Sequence, residues 1–301
     1  MSGFVIKYTD MYNMLWENKS RLEGLIENIE ACENSIIRFI ESESFQGKGA
    51  EAIKNYLNEV HITMLSSLKV TARSLLDNMV LYKAGYYEID NSTNFVLSEE
   101  AIREFRKKLA GGYSDTGDYN EEISRAVYGI SDISEVKRPD SSRVLAIHEQ
   151  MDRELSDLID DIEAQESLTV KALENSVGLL LENLETCIGK IRTGKTDISS
   201  YKSGSFYADR DVCTLAGLSQ IFYQQHEENR EAYNRIWETE QELRDAAEAR
   251  EVEGIWETVE GAALIVTGVL CIAATGGAAA PVVAACKVCG GSTIKGIFFQ
   301  Q

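Results

Sequence analysis

Apolar positions recur every seven residues through the first forty of the chain. Tyr8, Leu15, Leu22, Ile29 and Ile36 form one series, and Met11, Asn18, Leu25, Cys32 and Phe39 form its companion. This spacing predicts a long helix packed along another helix, with Asn18 as the polar seam position that can fix register. The pattern resumes at Ile53, Leu57, Val60, Met64, Leu68, Ala72, Leu75, Met79, Tyr82, Tyr86 and Ile89. Steps of three and four place these on one face of a second helix, from about Gly49 to Ile89. Each arm of about 40 residues spans roughly 60 Å. Between them lies SFQGKGAEAIKNYLNEVH, residues 44–61. Its Gly47 and Gly49 predict a hairpin tip. One glycine takes the left-handed conformation that ends the first helix, and the second helix starts near Ala50. Leu15, Leu22, Ile29 and Ile36 from one arm, and Leu57, Met64 and Leu75 from the other, are the expected hairpin packing.

Further helices are needed to cover so much apolar surface, because a two-helix unit buries too little alone. Ser98 caps a short helix with Glu99 and Glu100 in its first turn, and Gly111-Gly112 ends it. GGYSDTGD (111–118) reads as a loop and residues 119–131 as another short helix. After Pro139 a second long pattern begins near Arg143. It runs through Val144, Met151, Leu155, Leu158 and Ile162 to Leu180, Leu184 and Ile188. TGKTDISSYKSGS (193–205) interrupts it with turn residues. An acidic helix follows from about Asp211 to Glu260, its apolar side marked by Tyr233, Ile236, Leu243 and Ala247. Residues 261–286 carry no charge, a length that can span a bilayer, but Gly276-Gly277 and Pro281 divide them. This apolar segment is expected to be a linker, a buried hairpin of small residues or a membrane-active element. The expected organisation is therefore 1–210, a helical domain; 211–260, an acidic helix; and 261–301, the apolar Gly/Ala-rich segment.

The fold class is all-α, an antiparallel long-helix hairpin, elongated, with further long helices and an apolar C-terminal hairpin. Only two prolines, Pro139 and Pro281, occur in 301 residues, which favours uninterrupted helices. The net charge of −19 argues against nucleic acid as a partner and fits a solvated helical surface or a partner with a basic face. Six scattered cysteines and three histidines supply no metal cluster, and Cys286-x-x-Cys289 is at most half a zinc site. No cofactor is expected. Gly189 to Thr196 match the phosphate-loop pattern completely, but a helical pattern leads in and no strand precedes it. The reading there is a helix C-terminus with Lys190, Arg192 and Lys195 at its negative end. Tyr-x-x-x-Asp/Glu occurs at Tyr86, Tyr128, Tyr207 and Tyr223, against about two matches expected by chance, so it carries little weight as a short motif. No acid/base pair or activated nucleophile marks an enzyme site. MSGFVIKYTD is not a secretory signal peptide, so synthesis ending in the cytoplasm is expected unless another route exports the chain.

The segment SFQGKGAEAIKNYLNEVHITML resembles the hallmark region of the LXG family, N-terminal targeting regions of polymorphic toxins in Gram-positive bacteria. Phe45-Gln46-Gly47 stands at the Leu-x-Gly place, with phenylalanine for leucine, and Lys48, Gly49, Ala52, Tyr56, Val60 and His61 agree with the pattern. LLDNMVLYKAGYYEIDNSTNFVLSEEAIREFRKKL (75–109) is similar to the family's Tyr-rich helix end and following helix. The resemblance spans roughly residues 1–210. It implies export by the type VII secretion system of a toxin whose activity, if enzymatic, lies beyond residue 301. It also implies binding to small α-helical hairpin proteins encoded nearby and to the secretion ATPase, with an immunity protein if a toxin domain follows. Phe45, Gly47, Gly49, Tyr56 and His61 are the implied recognition residues. Two other readings stand beside it: a membrane-active effector that inserts 261–298, and a cytoplasmic coiled-coil scaffold.

Overall fold

A computed structural model describes residues 3–90, 95–129, 141–194 and 198–253. The long elements are all helices, as expected of an all-α chain. Strand β1 (Val5–Lys7) leads into α1 (Tyr8–Glu41). Helix α2 (Lys48–Tyr56), a π-helical segment (Leu57–Ile62) and α3 (Thr63–Gly85) then form one continuous helical run. A 3₁₀ turn (Tyr86–Glu88), β2 (Val96–Ser98) and α4 (Glu99–Gly129) follow. The second long run is α5 (Ser142–Leu173), a π segment (Glu174–Gly178) and α6 (Leu179–Thr193). A 3₁₀ turn (Ile198–Ser200) and α7 (Arg210–Glu253) complete the described chain.

The chain divides into two compact units. The first comprises residues up to Met11 together with 92–165. Here β1 and β2 pair antiparallel with Ile6 opposite Leu97. Tyr8 packs edge-on against Phe95 at 5.8 Å. Ser98 Oγ accepts a bond from Ala101 N at 3.4 Å at the start of α4. Arg106 donates twice to Asp152 of α5 (2.8 and 3.1 Å), Tyr113 to Glu149 (3.1 Å) and Asn120 to Ser141. The partners descend as α4 ascends, so these helices run antiparallel. Sequence and structure differ at residues 111–118, which are helix and not a loop: α4 continues through Gly111, Gly112 and Gly117. Gly112 explains why. A Cβ there would lie 3.1 Å from His148 Cε1, so the glycine admits α5 at close range. Packing of this kind overrides the roughly 1 kcal/mol propensity cost of a helical glycine.

The second unit comprises residues 12–91 and those from 166 onward. Its core lies where α3, α6 and α7 meet, with Val70, Leu180, Leu184, Cys187, Val212, Leu215 and Phe222 buried together. Met64 and Leu68 pack on that cluster. Helix α1 meets α3 through polar side chains. Glu33 accepts from Ser66 and Lys69 (both 2.6 Å), and Glu30 from Arg73 (3.1 Å). These contacts step in opposite directions, so α1 and α3 are antiparallel there. The heptad seam of α1 divides from Leu25 onward. Leu15 and Ile29 are buried, Leu22 and Ile36 half-buried, and of the companion series Met11 is buried and Asn18 half-buried, whereas Leu25, Cys32 and Phe39 are exposed. Leu57 and Leu75 are half-buried.

The turn also differs from expectation. Helix α1 ends at Glu41, before either glycine, and α2 starts at Lys48. Gly47 has φ 107° and ψ 166°, a conformation essentially restricted to glycine, and it opens the second arm without closing the first. Gly49 lies within α2 with open space around it. Farther on, Gly189 to Arg192 are helical, so a helix and not a strand leads toward residue 194. Lys190 pairs there with Asp209 (2.7 Å) and Asp211 (2.6 Å) at the start of α7. Lys195, Thr196, residues 254–260 of the expected acidic helix and all of 261–301 lie outside the described residues. Among the described residues no helix is long and apolar enough to cross a membrane, and no His/Cys/Asp/Glu group could hold a metal ion.

Candidate functional site: the helix turn and its brace

The turn is built from local bonds. Lys54 reaches back from α2 to donate to the Ser42 carbonyl (2.6 Å), and Gln46 donates to the Glu43 carbonyl (2.7 Å). Glu51 N closes the first turn of α2 on the Gly47 carbonyl at 2.9 Å. The rings of Phe39 and Phe45 sit 5.2 Å apart, so the side chain at the Leu-x-Gly place packs back onto the end of α1. Phe45 is half-buried, and Lys48 and Gly49 are exposed. Ala50 and Ala52 are buried where α2 packs against the 3₁₀ turn Ile198–Ser200.

The π segment directs one carboxylate inward. Such segments carry an extra residue within the helical run and often mark functional sites. Glu59 is buried, and its oxygens accept from Tyr201 Oη (2.6 Å), Ser203 Oγ (2.7 Å) and Gly204 N (2.8 and 2.9 Å). Gly204 has φ 82°, which presents its N–H to the carboxylate. Burial pushes the Glu59 pKa up, but the bonds from Tyr201, Ser203 and Gly204 outweigh it and hold the carboxyl below its ordinary range. Tyr201 is raised by burial and by donating to Glu59. Tyr56 stands edge-on to both His61 and Tyr201, each at 5.4 Å. Thr63 and Tyr207 share a bond of 2.7 Å. The structure thus gathers Tyr56 and His61 with the 201–207 loop, and sets Phe45, Gly47 and Gly49 apart at the turn. Sequence reasoning missed Glu59, Tyr201, Ser203 and Gly204. The signal lay in an acid beside Val60-His61 and in a polar Ser-Gly-Ser turn.

Toward its other end α3 carries buried polar groups. Ser67 accepts from Ser219 Oγ at 2.9 Å. Asp77 meets His226 at 2.8 Å, and His226 stacks on Tyr233. Burial pushes the Asp77 pKa up, and His226 only partly opposes it. Lys83 and Glu240, both fully buried, form an ion pair. Lys83 Nζ also donates to Tyr87 Oη (2.6 Å) and lies near the faces of the Tyr87 and Tyr12 rings. Burial depresses the Lys83 pKa, and Glu240 opposes that. Tyr82 (2.9 Å) and Tyr86 both donate to Glu166 Oε1. Burial, then Glu166, pushes the Tyr82 phenol up to about 12.

A long-helix domain with a glycine-opened turn, braced by a buried carboxylate, defines the class of the molecule. A family model described as the LXG domain of the WXG superfamily matches residues 7–200, well over half of the chain. The chain belongs to the LXG family. The matched region is accordingly a type VII secretion-related toxin N-terminal region. No curated protein matches the chain.

Proposed function

We propose that this chain is the export-targeting module of a type VII-secreted toxin and works by binding small helical partner proteins that complete the secretion signal. One observation carries the reading. The last three positions of the companion heptad series on α1, Leu25, Cys32 and Phe39, are exposed, although a/d positions at that spacing are made for helix contact. Family membership supplies the secretion context. On this reading the protein is made in the cytoplasm and leaves through the type VII machinery, whose ATPase is a further partner, and an immunity protein accompanies any toxin domain that follows. Phe45 and Gly47 present the turn to the machinery or to a partner. Phe45→Ala combined with Gly47→Asp lowers export from the parent bacterium while helicity is retained. Unchanged secretion refutes the role of the turn.

The uncharged run 261–286 favours a second reading, a membrane-active effector. Dye release from liposomes by the whole chain, lost on truncation at Glu260, supports it. An inert whole chain refutes it.

A further inference from the structure

Between Leu22 and Ile37, helix α1 carries four acids, Glu23, Glu27, Glu30 and Glu33, and no base. At 3.6 residues per turn all four point away from the exposed part of the seam. Glu30 and Glu33 are turned toward Lys69 and Arg73 of α3, and Glu23 pairs with Lys19. The opposite side presents Leu25, Asn28, Ala31, Cys32, Ser35 and Phe39, all exposed and none charged. In a chain of net charge −19 an uncharged exposed face of this length is unusual. Leu25, which keeps 41% of its surface, and Phe39, which keeps 40%, stand a heptad either side of exposed Cys32. On α6 the exposed Leu181 and Ile188 are interrupted by Glu182 and Glu185.

We propose that this face is the docking surface for a helix of the partner protein, laid along α1 from Gly24 to Phe39. The proposal rests on the partner-binding reading above and names its surface. Four properties define the occupant. The heptad spacing calls for a helix with its own apolar seam. From Leu25 to Phe39 is about 21 Å, so the contact needs about four turns. Gly24, whose Cβ position is open space, and Ala31 let the backbones approach closely, so the partner's facing residues are apolar and uncharged. The face is bracketed by Arg21 and Arg38, both exposed, so carboxylates at the ends of the partner's seam complete the charge match. An acidic helix that the rest of this chain would repel is accepted here.

The test uses the full chain and the small helical proteins encoded beside it, purified singly. Binding is measured by titration, and maleimide labelling of each cysteine by mass spectrometry. Leu25→Glu and Phe39→Glu are each expected to weaken binding by about 30-fold or more, the loss typical of a central interface residue. Ala31→Trp, at an exposed position where the chain's own fold tolerates bulk, is expected to do the same by barring close approach. Ile221→Glu on α7, also at an exposed site, is expected to change the affinity less than about 2-fold. Cys32 labelling should fall at least 10-fold in the complex while labelling of exposed Cys213 stays constant. A partner bound equally well by the wild type and all three α1 variants overturns this surface and leaves the partner-binding reading standing. A wild type that binds none of these proteins but forms a dimer broken by Leu25→Glu makes the occupant a second copy and overturns the proposal. A monomer that binds none of them overturns both.

Discussion

The ion pair of Lys83 with Glu240 is the sharpest test of how this helical unit is held together. Both side chains are 0% exposed. Removing one member of such a pair strands the other and typically costs 3–5 kcal/mol, about a thousandfold in the folding equilibrium. The two ends are not equivalent. Glu240 Oε1 has no hydrogen-bond partner among the described residues, so Lys83→Met leaves a buried carboxylate without its cation. That variant belongs at the upper end of the range. In Glu240→Gln the amine keeps Tyr87 Oη and the ring faces of Tyr12 and Tyr87, and burial already favours its neutral form. That variant should cost roughly half as much. Lys83→Met with Glu240→Leu replaces the pair by apolar groups and should lie within about 1 kcal/mol of wild type or above it. Urea unfolding followed by circular dichroism gives the four free energies. The pH dependence adds an independent sign. The folded pKa of Lys83 lies below the ordinary 10.5, so folding releases a proton in the window between them. Stability from this group therefore rises with pH up to about 10.5 and levels above it, and Lys83→Met abolishes that slope. A double variant as unstable as Lys83→Met refutes the reasoning.

Three other outcomes follow from the geometry. Gly47→Ala forces a Cβ onto φ 107° and should destabilise by about 1–3 kcal/mol, read as a lowered denaturation midpoint; an unchanged midpoint means that the turn relaxes. Glu59→Gln should speed protease cleavage within residues 199–207. In the wild type the Glu59 contribution is complete above the ordinary carboxylate value of 4.5 and is lost as the pH falls through the lower folded value. The loop should therefore loosen in acid, and the variant should be insensitive over that window. Gly112→Leu should destabilise the α4–α5 pair by about 1–3 kcal/mol through collision with His148, and His148→Ala should recover part of the loss.

Much of this architecture was legible because helical periodicity is a local signal. The seam of α1, the break near Gly47, the long run ending near Ile188 and the start of α7 all declare themselves through spacings of three, four and seven. What stayed hidden depends on contacts far apart in sequence. Glu59 and Tyr201 are 142 positions apart, and Lys83 and Glu240 are 157 apart. Nothing near Glu240 distinguishes it from the other acids of α7, most of which are solvated. The continuity of α4 through three glycines was hidden for the same reason, since the close approach that requires Gly112 comes from His148 on another helix. The Tyr-rich end of α3 was visible as composition, but its role in binding Glu166 was not. The phosphate-loop match shows the reverse. A complete local pattern stands here at the end of a helix and not after a strand.

The buried polar groups on α3 are also distributed in a way that sets register. Ser67, Asp77 and Lys83 meet Ser219, His226 and Glu240 in ascending order, so α3 and α7 run parallel with three fixed points between them. Apolar packing alone specifies register poorly in helices this long. A slip of α7 by one heptad places Tyr233 where Glu240 stands and Ser219 where His226 stands, and the apolar face tolerates it. The polar groups do not, because Asp77 and Lys83 are then buried without counter-charge. The buried charges thus trade stability for a single alignment, the role a seam asparagine plays in a coiled coil. Replacing both pairs at once, with Asp77→Leu, His226→Leu, Lys83→Met and Glu240→Leu, should preserve helicity and raise the urea midpoint. Spin labels placed on exposed positions of α3 and α7 should give one narrow distance in the wild type. In the quadruple variant a second population should appear, displaced along α7 by about 10 Å, one heptad at 1.5 Å per residue. A single narrow distance in that variant refutes the assignment and leaves register to the apolar contacts around Val70 and Leu215.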